Sequence, residues 1–400
     1  MDKLAMDPVR NPYAPGAGTP PPELAGRQPI LDQGKIALQR IAVGRPEKSL
    51  ILVGLRGVGK TVLLNSLHMR AEEIGYQTAF IEAHEGKSLP ALLAPTLRTI
   101  LHSLSWIETG KEAARRGLRV LKSFVESVSV SVGDVAFDIS MNPERGVADS
   151  GDLEADLPAL VRVVAEAARA ADVPIAIFVD ELQYLSNAEF SALIMAIHLT
   201  NQRQLPLILV GAGLPQIHGL AGNSKSYAER LFRFPEIGAL DEADARTAVE
   251  QPAMAEGVIF RENALQKIIE QTQSYPYFLQ QWAYEAWNLA ENETIDDRIV
   301  NLAAIKAIEE LDQSFFRVRF DRCTPAERRY MRALAELGEG RQRSGDIAEA
   351  IGVDVRSVAP TRNNLIKKGM IYSPAHGDTA FTVPMFHEYM RRVMPNWPDN

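Results

Sequence analysis

The chain predicts an α/β fold: a parallel sheet flanked by helices around a phosphate-binding loop, then an all-α segment, then a C-terminal winged helix-turn-helix. Three observations carry this. Apolar runs alternate with amphipathic stretches up to about residue 240, the pattern of a parallel sheet with crossover helices. From Asp241 the pattern is purely helical. Past Cys323 come three short helices and two short apolar strands around a tight turn.

The first decisive stretch is Leu50-Ile51-Leu52-Val53-Gly54-Leu55-Arg56-Gly57-Val58-Gly59-Lys60-Thr61. An apolar run of strand length breaks into Gly-x-x-x-x-Gly-Lys-Thr and an amphipathic helix follows at once, which is the P-loop with its required context. Glycines let the backbone curl until several N–H groups face one oxyanion, and the helix N-terminus adds its positive dipole end. Gly54, Leu55, Arg56, Gly57, Val58, Gly59, Lys60, Thr61 and Val62 are therefore the nucleotide-binding candidates. Lys60 is placed to reach the β- and γ-phosphates and Thr61 to offer its hydroxyl to Mg²⁺.

The flanks follow in order. Residues 1–25 concentrate proline and glycine and read as an extended arm. A helical pattern with Ile30, Leu31, Ile36, Ala37 and Ile41 leads to the P-loop strand. Leu63, Leu64, Leu67 and Ile74 mark the helix after the loop, which Gly75 ends. A second strand is expected at 79–82, and Ser88 with Pro90 opens a helix carrying Leu93, Leu97 and Leu104. Residues 111–150 read as an insertion, with Val128, Val130 and Val132 facing Val135, Phe137 and Ile139 across Gly133-Asp134 in a β-hairpin. Its apolar face packs either on its own domain or on a neighbouring subunit or partner. A helix is expected from Asp152 to about Ala171.

The second decisive stretch is Pro174-Ile175-Ala176-Ile177-Phe178-Val179-Asp180-Glu181, an apolar strand ending in paired carboxylates. In this Walker B pattern Asp180 holds Mg²⁺, largely through water, and Glu181 polarises the attacking water. Another helix (Phe190 to His198) and a buried strand, Leu207 to Val210, end in Gly211-Ala212-Gly213. A short strand is expected at 234–237, then lid helices from Asp241 to Ala255, Glu262 to Thr272, Tyr277 to Ala290 and about Val300 to Arg317.

At the C-terminus Thr324-Pro325-Ala326-Glu327 is an N-cap with an acidic first turn. Helices over 325–337, 344–351 and 357–368 follow, the last two joined by Gly352-Val353-Asp354-Val355, and Ile371-Tyr372 with Phe381-Thr382-Val383 form the wing. Residues 324–395 carry eleven Lys/Arg against eight Asp/Glu, a local basic balance suited to DNA. Arg356, Thr361, Arg362 and Asn363 fall at the start of the third helix, where a recognition helix presents side chains to base edges. Lys367 and Lys368 at its far end read as phosphate contacts or solvated charges. A protein-docking role for this module is the other reading.

Composition bounds the rest. The chain has 400 residues, 46% hydrophobic and 24% charged, the profile of a soluble globular protein of two or three domains. Lys+Arg 43 against Asp+Glu 51 gives −8, so any nucleic-acid surface is local. The single Cys323 allows no intrachain disulfide and no cysteine-based zinc site, and the histidines lack ligand spacing. His84 and Glu85, after the second strand, either approach the γ-phosphate or are structural, and the structural reading is preferred. Without a signal-peptide pattern or an apolar run near the ~20 residues of a membrane span, a cytoplasmic protein is expected.

With P-loop, Walker B, helical lid and winged helix in this order, the chain resembles the AAA+ ATPases of the origin-recognition initiator type and the related STAND and archaeal-type ATPases, over about residues 20–395. The resemblance implies ATP and Mg²⁺ as cofactors and ATP hydrolysis as the activity. It divides the chain into an arm (1–25), an AAA+-like P-loop NTPase core (26–240), a helical lid (241–322) and a winged-helix domain (323–400). It places Gly26-Arg27 near base and ribose, and Pro276, within Tyr275-Pro276-Tyr277-Phe278-Leu279, over the adenine, with Ser274 where many members have glycine. It makes Arg230 and Arg233 candidates for the arginine finger that reaches a neighbour's γ-phosphate. Gly211-Ala212-Gly213 stands where initiators carry a polar sensor, and no lid arginine marks a second sensor, so slow hydrolysis and a switch role are expected. The partners implied are double-stranded DNA and an ATP-dependent homo-oligomer or protein partner. The alternative is a STAND-like signalling or defence ATPase whose winged helix docks protein or clamps the nucleotide domain.

Overall fold

The computed structural model describes residues 6–16, 18–128, 142–224 and 228–398. The hairpin expected over 128–140 lies outside the described residues apart from Val128. Contacts divide the chain into two compact units, one of residues 29–53 and 63–236, the other of residues 1–28, 54–62 and 237–400.

The first unit holds, in chain order, α1 (Gln28–Ala42), β1 (Ser49–Val53), α2 (Lys60–Glu73, beginning in the other unit), β2 (Gln77–Glu82), α3 (Leu89–Ser105), α4 (Lys111–Ser127), α5 (Leu153–Ala171), β3 (Ile175–Asp180), α6 (Asn187–Gln202), β4 (Leu207–Gly213), α7 (Ile217–Ser224), α8 (Ala228–Leu231) and β5 (Phe232–Arg233). The strands form one five-stranded parallel sheet in the order β2-β3-β4-β1-β5. Every residue of β1, β3 and β4 is buried, as continuous apolar runs require in a sheet covered on both faces. Two sequence expectations are corrected. The last strand is Phe232–Arg233 rather than 234–237; of the expected range only Glu236 pairs with the sheet, in a single parallel bridge to Val53, where Pro235 O accepts from Val53 N–H at 3.0 Å. The 111–150 segment also holds α4, whose Ala114, Leu118, Leu121 and Phe124 bury one helical face as the chain packs beside α3 and α5.

The second unit contains α9 (Glu242–Ala255), β6 (Ile259–Phe260), α10 (Glu262–Thr272), α11 (Pro276–Leu289), β7 (Thr294–Ile295), α12 (Asp297–Gln313), α13 (Phe315–Asp321), α14 (Pro325–Glu336), β8 (Gln342–Arg343), α15 (Ser344–Ile351), α16 (Val355–Lys367), β9 (Ile371–Tyr372), β10 (Asp378–Phe381) and α17 (Phe386–Val393). The helix expected from 300 to 317 breaks at Ser314, whose φ of −114° and ψ of −76° leave the helical well. The break lets Phe315 stack on Tyr277 (4.7 Å between centroids) while Phe316 meets Phe386 and Tyr389. β8, β10 and β9 form an antiparallel sheet in that order. With α14 to α16 this arrangement accords with a winged helix. The strand expected at 381–383 lies at Asp378–Phe381 instead, and Thr382 turns its hydroxyl onto Gly369 O at 2.6 Å.

The Pro-rich arm belongs to this unit and is anchored. Tyr13 is 3% exposed and donates its hydroxyl to Val249 O at 2.5 Å; Asn11 Nδ2 donates to Asn288 Oδ1 at 2.9 Å, and Met6 N–H to Ala290 O at 3.1 Å. Burial, with Glu250 adding to it, raises the Tyr13 pKa, so the phenol stays a donor. An arm whose prolines exclude regular structure gains its order from these tertiary contacts.

Candidate functional site

In the second unit, Gly54 follows directly on β1 and Lys60 opens α2. A Cβ on Gly54 would lie 2.1 Å from Ile237 O, so only glycine fits there. Gly57 and Gly59 have φ of +83° and +91°, the left-handed turns that curl the loop before the helix N-terminus. Lys60 is 8% exposed, and its Nζ donates to Leu55 O at 2.7 Å. Its stem is thus held along the loop it is expected to serve.

Elements distant in sequence brace this loop. Arg27 Nη2 donates to Val58 O at 3.2 Å and to Gly238 O at 2.5 Å. Burial lowers the pKa of its guanidinium, and the nearby Asp244 carboxylate opposes that. Gly26, at φ +69°, has no room for a side chain, since a Cβ would meet Asp244 Oδ2 at 2.4 Å. Pro276 takes the first turn of α11, where its missing N–H costs nothing. The next residue, Tyr277, donates its N–H to Gly57 O at 3.2 Å. Arg56 N–H donates to Thr382 O at 3.0 Å, and its Nε lies 3.5 Å from Gly369 O, so the loop also touches the segment after β10. The arm reaches the same place: a Cβ on Gly18 would lie 3.7 Å from Thr61 Cγ2.

In the first unit, Asp180 ends β3 and is 4% exposed; its Oδ1 accepts from Glu181 N–H at 2.8 Å. Glu181 stands in the left-handed region, φ 54°, which a glutamate rarely adopts and which takes its side chain out of the strand's alternation. The chain then makes a 3₁₀ turn, Leu182–Tyr184, and Gln183 donates its amide to Glu181 Oε2. Among the described residues no cluster of three or more His, Cys, Asp and Glu side chains is placed to hold a metal by itself. A carboxylate at Asp180 is a hard oxygen donor, the ligand type that suits Mg²⁺ completed by phosphate and water.

The arginine-finger candidates differ. Arg230 is exposed on α8, whereas Arg233 Nη2 bonds Glu47 Oε1 at 3.0 Å, and Arg40 Nε holds the other oxygen at 2.8 Å. His84, also exposed, accepts from Gly86 N–H at 3.2 Å, a local turn contact.

On α16, Asp354 caps the helix through Arg356 N–H at 2.8 Å, and the Arg356 and Asn363 side chains are exposed, with Thr361 intermediate. Arg362 is turned inward: Nε donates to Thr379 Oγ1 at 2.9 Å, and Nη2 to Ser373 Oγ and Asp378 O, each at 2.8 Å. Lys368, read from sequence as a phosphate contact or solvated charge, instead pairs at 2.7 Å with the buried Glu327. Arg362→Ala is therefore expected to lower stability by about 1–3 kcal/mol, the worth of bonds from a half-exposed guanidinium, while Arg356→Ala leaves it within about 0.5 kcal/mol. Urea melts of the two variants check this.

Sequence reasoning missed Gln183 and Glu47, and named Tyr277 only as part of the segment over the adenine. Gln183 alone left a trace, as the polar residue two positions past the paired carboxylates. Among the described residues no helix is long and apolar enough to cross a membrane.

Residues 23–210 match the family model of the AAA ATPase domain, and residues 313–390 match a domain of unknown function. No curated protein matches the chain. Among solved structures, a Walker-type ATPase of Pyrococcus abyssi is similar at a TM-score of 0.57 and 14% identity, covering 93% of this chain and 97% of its own. The Aeropyrum pernix ORC1 protein in complex with DNA aligns at 15% identity and a TM-score of 0.48, covering 93% and 94%. The Thermotoga maritima RuvB Holliday junction branch migration motor aligns at 14% and 0.43, covering 92% and 95%. At such identities the likeness to the Pyrococcus protein is one of fold.

Proposed function

We propose, from the match of residues 23–210 to the AAA ATPase domain model, that this chain is a Mg²⁺-dependent, ATP-hydrolysing switch associated with DNA. The observation that carries the reading is the loop itself: two left-handed glycines, a helix N-terminus and a buried lysine follow one another over Gly57–Lys60. Bound ATP brings the phosphate anhydride to be cleaved, and Mg²⁺ neutralises charge on its oxygens. The loop's N–H groups and Lys60 hold the phosphates. Thr61 would offer its hydroxyl and Asp180 its carboxylate to Mg²⁺, and Glu181 would take a proton from the attacking water. Arg27 and Tyr277 keep the loop in shape, and Pro276 belongs to the segment that covers the base. Arg230 is the better placed of the two arginines to serve a neighbouring copy, being exposed where Arg233 is paired.

The division into arm (1–25), ATPase core (26–240), lid (241–322) and winged helix (323–400) is part of the proposal. Nucleotide state sets the lid and winged helix and controls assembly. Arg356, Thr361 and Asn363 would read a duplex, with Arg362 holding the wing in place for them.

One observation favours a second reading, a STAND-like signalling ATPase whose C-terminal module clamps the nucleotide loop: the bond from Arg56 N–H to Thr382 O. Titrating a generic duplex against salt separates the two. DNA association should fall steeply with salt, with a log–log slope of about −0.9 per phosphate contacted. No binding even at low salt removes DNA from the function and leaves the clamp.

A further inference from the structure

β4 ends in Gly211-Ala212-Gly213, with no side chain there longer than a methyl group. The two glycines make room for the turn that follows Glu181. A Cβ on Gly211 would lie 2.4 Å from Leu182 Cδ1, and one on Gly213 would lie 2.8 Å from Gln183 Oε1 and 2.5 Å from Ile217 Cδ1. Leu182 is fully buried and Gln183 is 8% exposed, so both fill the space the glycines vacate. Gln183 is held at each end of its carboxamide. Its oxygen accepts from Leu214 N–H at 3.0 Å, and its NH₂ donates to Glu181 Oε2. A backbone N–H can only donate, so it fixes the amide oxygen toward β4 and turns the NH₂ toward the carboxylate.

We infer that Gln183 is a positioning residue for Glu181: it ties one carboxylate oxygen to the end of β4 and so fixes the direction of the carboxylate. The left-handed backbone of Glu181 gives the side chain a direction, and the Gln183 bond fixes its torsion.

This inference rests on the ATPase reading, and its test keeps the two apart. Gln183→Leu preserves approximate volume and removes both bonds. At saturating ATP its turnover should fall about 10- to 100-fold, with binding of a fluorescent ATP analogue unchanged within about twofold. Added to Glu181→Gln, the same substitution should lower turnover no further, since its effect passes through the carboxylate. Gln183→Glu, which sets two carboxylates against each other, should lower turnover as well, with binding of the ATP analogue again unchanged within about twofold, and guards against a folding defect peculiar to leucine. Undiminished turnover, or an equal loss in the Glu181→Gln background, overturns the role of Gln183 while the ATPase reading stands. Wild-type turnover no higher than that of Lys60→Ala overturns the ATPase reading, and the inference with it.

Discussion

Replacing Lys60 by alanine should abolish ATP binding while leaving the fold intact. Lys60 stands at the first position of α2, where alanine is at least as good a helix former, so the helix itself loses nothing. Within the chain the substitution removes the bond from Nζ to Leu55 O, worth about 0.5–1.5 kcal/mol. Toward a triphosphate it removes a charge-assisted donor in the midst of several N–H groups, and a loss of about 100-fold or more in affinity follows. Thermal melting with and without ATP and Mg²⁺ reads this directly. Wild type at a hundredfold excess over Kd gains about 2.7 kcal/mol, and the variant should gain nothing. A ligand-induced rise equal to that of wild type would end the nucleotide reading of the loop. Loss of the rise leaves DNA reader and clamp equally possible, because both depend on ATP.

The parts of the fold visible in the sequence are those where local chemistry and tertiary structure agree. β1, β3 and β4 read as apolar runs because a covered parallel sheet buries both faces of each strand. Thr324 and Glu327 announced a helix start that the structure builds as a full capping box. Elements set by partners elsewhere in the chain left little or no mark. β8 is two polar residues whose only reason to be extended is the neighbouring Asp378 and Thr379. The arm reads as structureless because proline blocks regular hydrogen bonding, yet Tyr13 and Asn11 fasten it to α9 and α11. The same division holds at the site. Glycine spacing and paired carboxylates give the loop and the end of β3 from sequence, since their chemistry is local. That Arg27 braces Val58 O, or that Arg362 faces the wing, depends on which groups the fold brings near them. The glycines ending β4 looked like a missing polar group; in the structure they are the space that Gln183 occupies.

Glu181→Gln should separate binding from turnover, which Lys60→Ala cannot do. The two side chains have the same shape, and the new amide can still present its oxygen to the Gln183 NH₂, so the local fold is expected to persist. What disappears is the proton acceptor. General-base catalysis of this kind contributes about 10²- to 10⁴-fold, and turnover should fall within that range while affinity for ATP changes less than about twofold. An ATP-dependent shift in molecular size, if assembly follows the bound nucleotide, should then persist after wild type has hydrolysed its ATP and reverted. Steady-state phosphate release and light scattering on one sample measure the two effects together. Persistent assembly with suppressed turnover assigns the switch to bound ATP and its reset to hydrolysis. If wild type shows no turnover for the substitution to suppress, the paired carboxylates at the end of β3 serve binding alone, and the chain is a nucleotide sensor.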